Sequence, residues 1–409
     1  MRIRFLGGAD KVGSLGMILE VDGVRLLFDY GLTPSKPPEY PLPSPPVDAT
    51  FLTHAHLDHS GMLPFIAGRY SSPIYATFPT IPVTNLLLND TIKVCGIEGY
   101  ACPYTQEDVN VTTHRMIPVE YGSKIGVDSV DVEVFSSGHI PGSAMYRVNG
   151  EERLLFTGDI QTIDTNLLSG CEIPKTDILV IEATYAGREH PPRQEVTGEF
   201  LDTIEEINGK GGVAIVPAFA VGRTQELMLI LHKKGYEVWL DGMGVTVTKM
   251  YLRYSKYLKN PQRLKKALKS FNIVKKKSDR KKALKGDVIL TTSGMLDGGP
   301  VLHYINALRN DARSGILLTG YQVDGTNGRM LLDTGIIDLY GVRSEVNAEV
   351  KFFDFSAHAG HSELLEFIYK TGASTVVLCH GDNREALKKD LADVNVIIPK
   401  NDEYVKLTS

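Results

Sequence analysis

The chain has 409 residues, of which 43% are apolar and 23% are charged, and its formal net charge is −5 at pH 7. This is the composition of a globular protein, its mild acidity excludes a surface covered with positive charge, and its length predicts two domains. No leucine-rich stretch is long enough to cross a bilayer, and residues 1–5 resemble a strand rather than a signal peptide. We therefore expect a cytoplasmic protein without membrane contact.

The first third of the chain alternates short β-branched or apolar runs with tight turns. The runs RIRFLGG, GMILEV, VRLLFDYG, ATFLTHA and PIYAT predict strands of a mixed sheet. Residues 34–46 are rich in proline, which cannot donate to a ladder, and they predict an irregular surface loop. Residues 79–95 have a helical period.

The middle of the chain differs from its two ends. A second series of predicted strands reaches ILVIEATY, and residues 186–350 then follow a strand, helix, strand pattern that is typical of a βαβ domain. Residues 351–409 again resemble the first part of the chain in their pattern. We predict one domain, formed by 1–185 and 351–409, that is interrupted by a second domain.

Residues 256–285 are strongly basic, with Asp279 as the only acid. A solvated helical face is the simpler interpretation, and a local attraction for a polyanion is the alternative. The four cysteines, at 95, 102, 171 and 379, include no CxxC pair, so we expect neither a disulfide framework nor a thiolate zinc site.

Residues 52–61, LTHAHLDHSG, place four metal donors directly after an apolar run. The imidazoles of His54 and His56 are two positions apart on extended chain and point the same way. Asp58 and His59 come off the following turn and face a second point nearby. One turn thus offers ligands to two metal ions, and the four donors together predict a metal site.

Other apolar runs end in the same manner. His139, Asp159 and His380 each follow such a run beside a glycine, which would let the backbone approach a metal without a clash. Asp29 has the same setting, and we expect it to orient a ligand. Each residue alone would be an ordinary turn residue, but their shared setting favours ligation.

These motifs resemble those of the metallo-β-lactamase superfamily, from Asp29 through the histidine turn to Asp159. VIEATYAGREH, FSAHAGHSEL and VLCHGD resemble motifs A, B and C of the β-CASP nucleases, and TTSGMLDGGP and LTGYQVDGTNGR resemble their inserted domain. The resemblance implies an α/β fold, namely an αββα metallo-β-lactamase sandwich with an inserted α/β β-CASP domain.

The resemblance implies two Zn²⁺ per chain. One zinc ion would be bound by His54, His56 and His139, the other by Asp58, His59 and His380, and Asp159 would bridge them. The candidate catalytic residues are His358, Glu182, Asp58 and Asp29. Of these, Glu182 matches the motif A acid and His358 the motif B histidine, which would give a proton to the departing oxygen.

The other histidines of the chain lie outside the ligand motifs. We expect them to be surface or structural residues, with His190 and His361 as the foremost exceptions.

The resemblance also implies single-stranded RNA as the substrate. An insert over the metal face forms a narrow cleft that favours a single strand, and RNA-cutting relatives carry histidine in motif C, here His380. The candidate RNA contacts are Arg223, Ser293, Gly294, Met295, Ser356 and Ala357. Exposed amides at a helix start would assist Arg223, for which a salt bridge is the rival interpretation, and the turn at 293–295 would form an amide nest.

The length of the chain favours a relative of archaeal RNase J or of short archaeal cleavage-factor-like proteins. Such relatives imply a 5′-to-3′ exoribonuclease of RNA processing and decay that leaves 5′-phosphates. The alternatives are an endoribonuclease of the cleavage-factor type, a non-catalytic RNA-binding scaffold and a small-molecule metallohydrolase. A homodimer is also common in the family.

Overall fold

The computed structural model describes residues 1–407, which form two compact units. The first unit contains Met1–Asp164, Ser169–Glu189 and the chain from His358 onward. The second unit contains Thr165–Leu168 and His190–Ala357. The sequence placed the start and the end of the insert a few residues earlier, at 186 and 350.

The part of the first unit that precedes the insert contains eleven strands and four helices. The strands are β1 (Arg2–Gly7), β2 (Gly16–Val21), β3 (Val24–Phe28), β4 (Ala49–Phe51), β5 (Ile74–Thr77), β6 (Met116–Val119), β7 (Lys124–Val127), β8 (Val130–Ser136), β9 (Ala144–Asn149), β10 (Arg153–Phe156) and β11 (Ile178–Glu182). The helices are α1 (Leu57–Ser60), α2 (Leu63–Ala67), α3 (Thr80–Glu98) and α4 (Gln106–Arg115).

The second unit alternates helices and strands. Its helices are α5 (Arg193–Gly209), α6 (Arg223–Leu231), α7 (Gly244–Tyr251), α8 (Pro261–Ser270), α9 (Lys277–Ala283), α10 (Val301–Leu308) and α11 (Asn327–Thr334), with a 3₁₀ segment at Leu252–Tyr257. Its strands are β12 (Ala214–Pro217), β13 (Val238–Asp241), β14 (Asn272–Ile273), β15 (Val288–Thr291), β16 (Gly315–Leu318), β17 (Ile336–Leu339), β18 (Val342–Glu345) and β19 (Glu349–Phe352).

The chain then returns to the first unit. This last part consists of α12 (His361–Thr371), β20 (Thr375–Cys379), α13 (Arg384–Asp390), β21 (Asn395–Ile397) and β22 (Tyr404–Lys406).

Two seven-stranded sheets form the centre of the first unit. Their orders are β22-β1-β2-β3-β4-β5-β6 and β21-β20-β11-β10-β9-β8-β7. Aromatic rings from both sheets pack between them, with the ring centroids of Phe28 and Phe156 5.2 Å apart and those of Phe51 and Tyr146 5.1 Å apart. Helices cover the outer faces, so β11, an inner strand of its sheet, is buried along its whole length. The αββα sandwich that the sequence predicted is confirmed.

The second unit is built on a six-stranded parallel sheet in the order β14-β13-β15-β12-β16-β19. Its inner strands β12, β15 and β16 are short and almost fully apolar, as expected where helices cover both faces. Strands β17 and β18 form a separate hairpin. The α/β insert is therefore confirmed as well.

Helix α4 and strand β22 are among the elements that the sequence did not predict. Helix α4 is mostly polar, so it has no apolar period, and its start is instead fixed by a capping box between Thr105 and Asp108. Strand β22 is only three residues long and pairs with β1 at the edge of the first sheet. No helix within residues 1–407 has both the length and the apolar composition that a bilayer span requires.

Candidate metal and catalytic site

Every candidate ligand lies at the carboxyl end of a strand of the first unit. Asp29 follows β3, the histidine turn follows β4, His139 follows β8, Asp159 follows β10 and His380 follows β20. Because the ends of neighbouring strands meet at one edge of a sheet, loops that are far apart in sequence bring their side chains together.

The first set of donors, group A, consists of His54, His56 and His139. The Nδ1 atom of His56 lies 3.1 Å from Nε2 of His54 and 3.2 Å from Nε2 of His139. The carboxylate oxygen Oδ2 of Asp159 lies 3.5 Å from Nε2 of His54 and 3.6 Å from Nε2 of His139. Burial lowers the pKa of His54 and His56, which favours the neutral imidazole, the form with a lone pair for a metal ion.

The second set, group B, consists of Asp58, His59 and His380. Oδ2 of Asp58 lies 3.9 Å from Nε2 of His59 and 3.6 Å from Nε2 of His380. The other oxygen of Asp159, Oδ1, lies 3.3 Å from Nε2 of His59 and 3.8 Å from Nε2 of His380. Asp159 therefore presents one oxygen to each group, and the structure brings all seven predicted ligands together.

The chemistry of these donors fits metal ions. Nε2 of His59, Nε2 of His380 and Oδ1 of Asp159 are buried and have no hydrogen-bond partner within the described chain. Buried polar atoms without a partner are rare because no hydrogen bond within the protein compensates for their lost hydration. Imidazole nitrogens and carboxylate oxygens in groups of three or four are the ligands of zinc and similar divalent ions.

Asp29 fixes the orientation of a group B ligand. Its Oδ2 lies 2.7 Å from Nδ1 of His59, and it accepts hydrogen bonds from the amide and the hydroxyl of Thr53 at 2.7 and 2.8 Å. Nε2 of His59 therefore points to the cluster. Burial alone would lower the pKa of His59, but the carboxylates of Asp159, Asp58 and Asp29 raise it well above its usual range. These carboxylates thus favour a positive charge at the position of His59.

Glu182 and His358 form a pair at the edge of group A. Both oxygens of Glu182 lie 3.0 Å from Nδ1 of His358, and Nε2 of His358 lies 3.9 Å from Oδ2 of Asp159. Burial would lower the pKa of His358, but Glu182 and Asp159 raise it to about 9. His358 can thus hold a proton at neutral pH. Asp159, Glu182 and His358 are also close enough to one another to bind a metal ion.

Three domain families match the chain. Residues 18–184 match the metallo-beta-lactamase superfamily domain, residues 224–331 match the Beta-Casp domain, and residues 343–399 match the Zn-dependent metallo-hydrolase RNA specificity domain.

Several archaeal proteins are similar to this chain. Probable RNase MJ4 of Methanocaldococcus jannaschii is 39% identical over 403 residues, which cover 94% of each chain. The chain belongs to the β-CASP family of metallo-β-lactamase-fold ribonucleases. RNase aCSPSF2 of Saccharolobus solfataricus is 35% identical and the match covers 99% of this chain and 85% of that protein. Transcription termination factor FttA of M. jannaschii is 32% identical, over 100% of this chain and 70% of its own length.

A solved structure shows the same fold. A protein of unknown function from Enterococcus faecalis V583 superposes with a TM-score of 0.65, covering 99% of each chain at 17% identity. This similarity concerns the fold alone.

Glycines beside the candidate metal ligands have a packing role that the sequence did not indicate. A Cβ atom at Gly158 would lie 2.7 Å from the side chain of Thr53, and one at Gly381 would lie 2.1 Å from the carbonyl oxygen of Ala183. These glycines therefore allow neighbouring strand-end loops to approach one another, and the close approach of their backbone to a metal stays a prediction.

The six candidate RNA contacts all lie in the second unit. The expectation of free amides beside Arg223 was wrong, because its amide donates to Val221 and the amide of Thr224 donates to Phe219. Arg223 also has an acid nearby: the pKa of Asp354, which burial would raise, is lowered mainly by His190 and partly by Arg223. This supports the rival interpretation of Arg223 as a salt-bridging residue.

The turn at residues 293–295 remains suited to an anion. The amides of Ser293, Gly294 and Met295 have no acceptor within residues 1–407. The amide of Ser356, by contrast, donates to Asp354 at 3.0 Å, and its carbonyl oxygen accepts from Arg193. A phosphate contact of Ser356 would therefore have to use its hydroxyl.

The two exceptional histidines of the sequence analysis have protein partners. Nδ1 of His190 lies 2.7 Å from Asp354, and Nε2 of His361 lies 2.9 Å from Asp390. Neither belongs to the donor groups.

Gln161 is a site residue that the sequence did not indicate. Its Nε2 donates to the carbonyl oxygen of His358 at 2.9 Å. It lies two positions after Asp159, but nothing in the local pattern indicates a partner nearly two hundred positions away.

Proposed function

We propose that the protein is a zinc-dependent ribonuclease that hydrolyses phosphodiester bonds of single-stranded RNA, mainly as a 5′-to-3′ exoribonuclease that leaves 5′-phosphates. The proposal is carried by the position of Asp159, whose two oxygens each face one donor group. A carboxylate placed in this way suits a site for two Zn²⁺ ions. When bound, such ions polarise a phosphoryl oxygen and lower the pKa of a water molecule toward neutrality.

The residues around the cluster suit the remaining needs of this reaction. Hydrolysis breaks the bond between phosphorus and the 3′-oxygen, and that oxygen needs a proton as it leaves. His358 donates a hydrogen bond from Nδ1 to Glu182, and because its pKa is raised to about 9 it also carries a proton on Nε2 at neutral pH, which it can give to this oxygen. The amide of Ile160 donates to Glu182 at 2.8 Å, so this carboxylate is fixed in place.

RNA rather than a small molecule is the proposed substrate for two reasons. The chain carries a β-CASP insert, and residues 343–399 match an RNA specificity domain. A lactonase or thioesterase would need neither of these domains. It also has His380 in motif C, as RNA-cutting relatives do. Faster turnover of a lactone or thioester than of RNA would contradict this choice.

A scaffold that binds RNA without cutting it is the alternative from another class. Such a protein would not need a complete donor set, and the close grouping of seven candidate donors in this chain supports the enzyme instead. Fewer than one zinc ion per chain after purification would favour the scaffold.

The direction of cleavage is tested with RNA that is labelled at either end. The substrate should carry a 5′-monophosphate, a 5′-triphosphate or a 5′-hydroxyl group in separate reactions. Release of mononucleotides from the 5′ end, at a rate that depends on the 5′ group, is the expected result. Discrete internal fragments would instead show an endoribonuclease. The homodimer also stays a prediction, which sedimentation equilibrium of the full chain tests.

A further inference from the structure

A small cavity in the second unit combines positive charge with a buried polar atom that has no partner. Its volume is about 210 Å³, and it is lined by His232, Lys233, Asn260, Gln262, Arg263 and Lys266. We call it the His232 pocket. Three of its six lining residues are cationic and none is acidic.

His232 is the buried member of the pocket. It ends helix α6, and only 8% of its surface is exposed. Its Nε2 atom is buried without a hydrogen-bond partner among the described residues. In the tautomer that carries the proton on Nε2, this nitrogen can donate to an oxygen atom of a ligand. A buried imidazole with an unused donor is a second observation, independent of the charge, that indicates a ligand.

The surrounding charge favours an anion as this ligand. Burial lowers the pKa of His232. The positive charges of Lys233, Arg263 and Lys266 lower this pKa further, because they lie near the imidazole. Neither Lys233 nor Lys266 forms an ion pair within residues 1–407. The guanidinium of Arg263 is held by neutral acceptors, the carbonyl oxygen of Leu229 at 2.8 Å and Oδ1 of Asn166 at 3.4 Å. All three charges therefore remain available to a ligand.

Helix α8 presents these groups together. Gln262, Arg263 and Lys266 are spaced at i, i+1 and i+4, so Gln262 and Lys266 lie on one face of the helix. They occupy its first two turns, where the helix dipole adds positive potential. Asn260 caps this end by accepting a hydrogen bond from the amide of Arg263 at 3.1 Å. The pocket thus combines two lysine point charges, a fixed guanidinium and a helix start, which suit a phosphate group.

We propose that the His232 pocket binds a backbone phosphate of the RNA substrate, as an RNA contact made by the insert alone. The proposal rests on the ribonuclease activity proposed above. RNA is favoured over a free phosphate because four of the six lining residues belong to a longer basic stretch. Residues 256–285 contain thirteen lysines and arginines and one acid, so neighbouring phosphates would also meet positive charge.

The test compares two double variants of the full-length, zinc-loaded protein. Lys233→Ala/Lys266→Ala removes two charges from the pocket. Lys210→Ala/Lys234→Ala, called the adjacent variant because Lys234 neighbours Lys233, removes the same charge from exposed lysines that neither line the pocket nor belong to residues 256–285. The measurement is KM and kcat for a single-stranded RNA of about 20 nucleotides at several salt concentrations.

The pocket variant should raise KM roughly 5-fold with little change in kcat, and the slope of log KM against log salt should fall by about 0.7, as for one lost phosphate contact on a single strand. The adjacent variant should change KM less than about 2-fold and keep the slope. His232→Phe, which retains a ring beside Phe271 but has no nitrogen, should raise KM as the pocket variant does.

Four outcomes separate the possibilities. If the wild-type protein does not cleave RNA, the proposed function fails, and the pocket proposal falls with it. If it cleaves RNA and the pocket variant has wild-type KM and slope, only the pocket proposal fails. Equal changes of KM in both lysine variants, with no change in His232→Phe, would show that RNA responds only to the general surface charge. This result would overturn the pocket proposal. Loss of inorganic phosphate binding by calorimetry, without a change in KM for RNA, would reassign the pocket to free phosphate.

Discussion

Group A and group B offer the same number of ligands but differ in charge. Group A has three imidazoles and receives one oxygen of Asp159, whereas group B has two imidazoles, the carboxylate of Asp58 and the other oxygen of Asp159. The carboxylate of Asp29 adds further negative charge behind His59. An ion in group B is therefore better neutralised and should be held more tightly. An ion in group A keeps more of its positive charge, on the side where His358 lies.

This difference in charge suggests that the two groups have different roles in the reaction. We propose that group B anchors the site and that group A faces the part of the site where charge develops on the substrate. The pair of Glu182 and His358 supports this assignment, because Nε2 of His358 is nearest to the oxygen of Asp159 that belongs to group A. The predictions below test whether the two groups can be separated.

Asp159→Asn should have the largest effect, because it removes charge from both groups. Each ion supplies several kcal/mol of transition-state stabilisation, so we expect RNA hydrolysis to fall on the order of 10⁴-fold or more. Zinc content should fall below one ion per chain by elemental analysis. Two ions retained at full occupancy would show that Asp159 does not bridge the groups.

His358→Ala should separate chemistry from metal binding. Loss of a general acid costs about 10²- to 10⁴-fold in rate, so kcat should fall by that range while zinc content stays unchanged. His114→Ala, an exposed histidine on α4, is the matched control and should behave as wild type. Loss of a zinc ion from His358→Ala would instead make His358 a metal ligand.

His380→Ala should affect one group only. It removes one of three side chains of group B, and zinc content should fall from about two ions to about one, as follows from the loss of one site in a two-ion cluster. The ion that remains should be the group A ion, which His139→Ala removes. An unchanged zinc content in His380→Ala would exclude this residue from the ligand set.

Asp29→Asn should have the smallest effect of the four. Because Asp29 contacts the ligand His59 and not the ion, zinc affinity of group B should weaken about 10- to 100-fold, while group A is unchanged. Competition with a chromogenic chelator measures both affinities. Asp393→Asn, at an exposed aspartate, is the control. Equal weakening of both ions would show that the groups are not separable.

The sequence predicted the donors of both groups because each gives a local signal. His54, Asp159 and His380 all stand where an apolar run ends, and such positions share one edge of a sheet. The pairing of each donor with its group was implied by the family resemblance, and the distances in the structure agree with it. The roles of these residues stay predictions until the metal content is measured.

Other features gave no local signal. Asp29 and His380 have φ values of 56° and 50°, a left-handed backbone that is uncommon outside glycine and that tertiary contacts must hold. The bond from Gln161 to His358 and the His232 pocket join residues that are distant in sequence. Amphipathic periods report the face that an element buries, and they contain no information about such long-range polar contacts.

The most direct test of the account is the position of zinc in a crystal of the wild-type protein, measured by anomalous diffraction at the zinc absorption edge. We predict two peaks roughly 3.5–4 Å apart. One should lie among His54, His56 and His139, the other among Asp58, His59 and His380, with Asp159 between them and His358 outside both coordination shells. A single peak, or a peak with His358 as a ligand, would contradict the account.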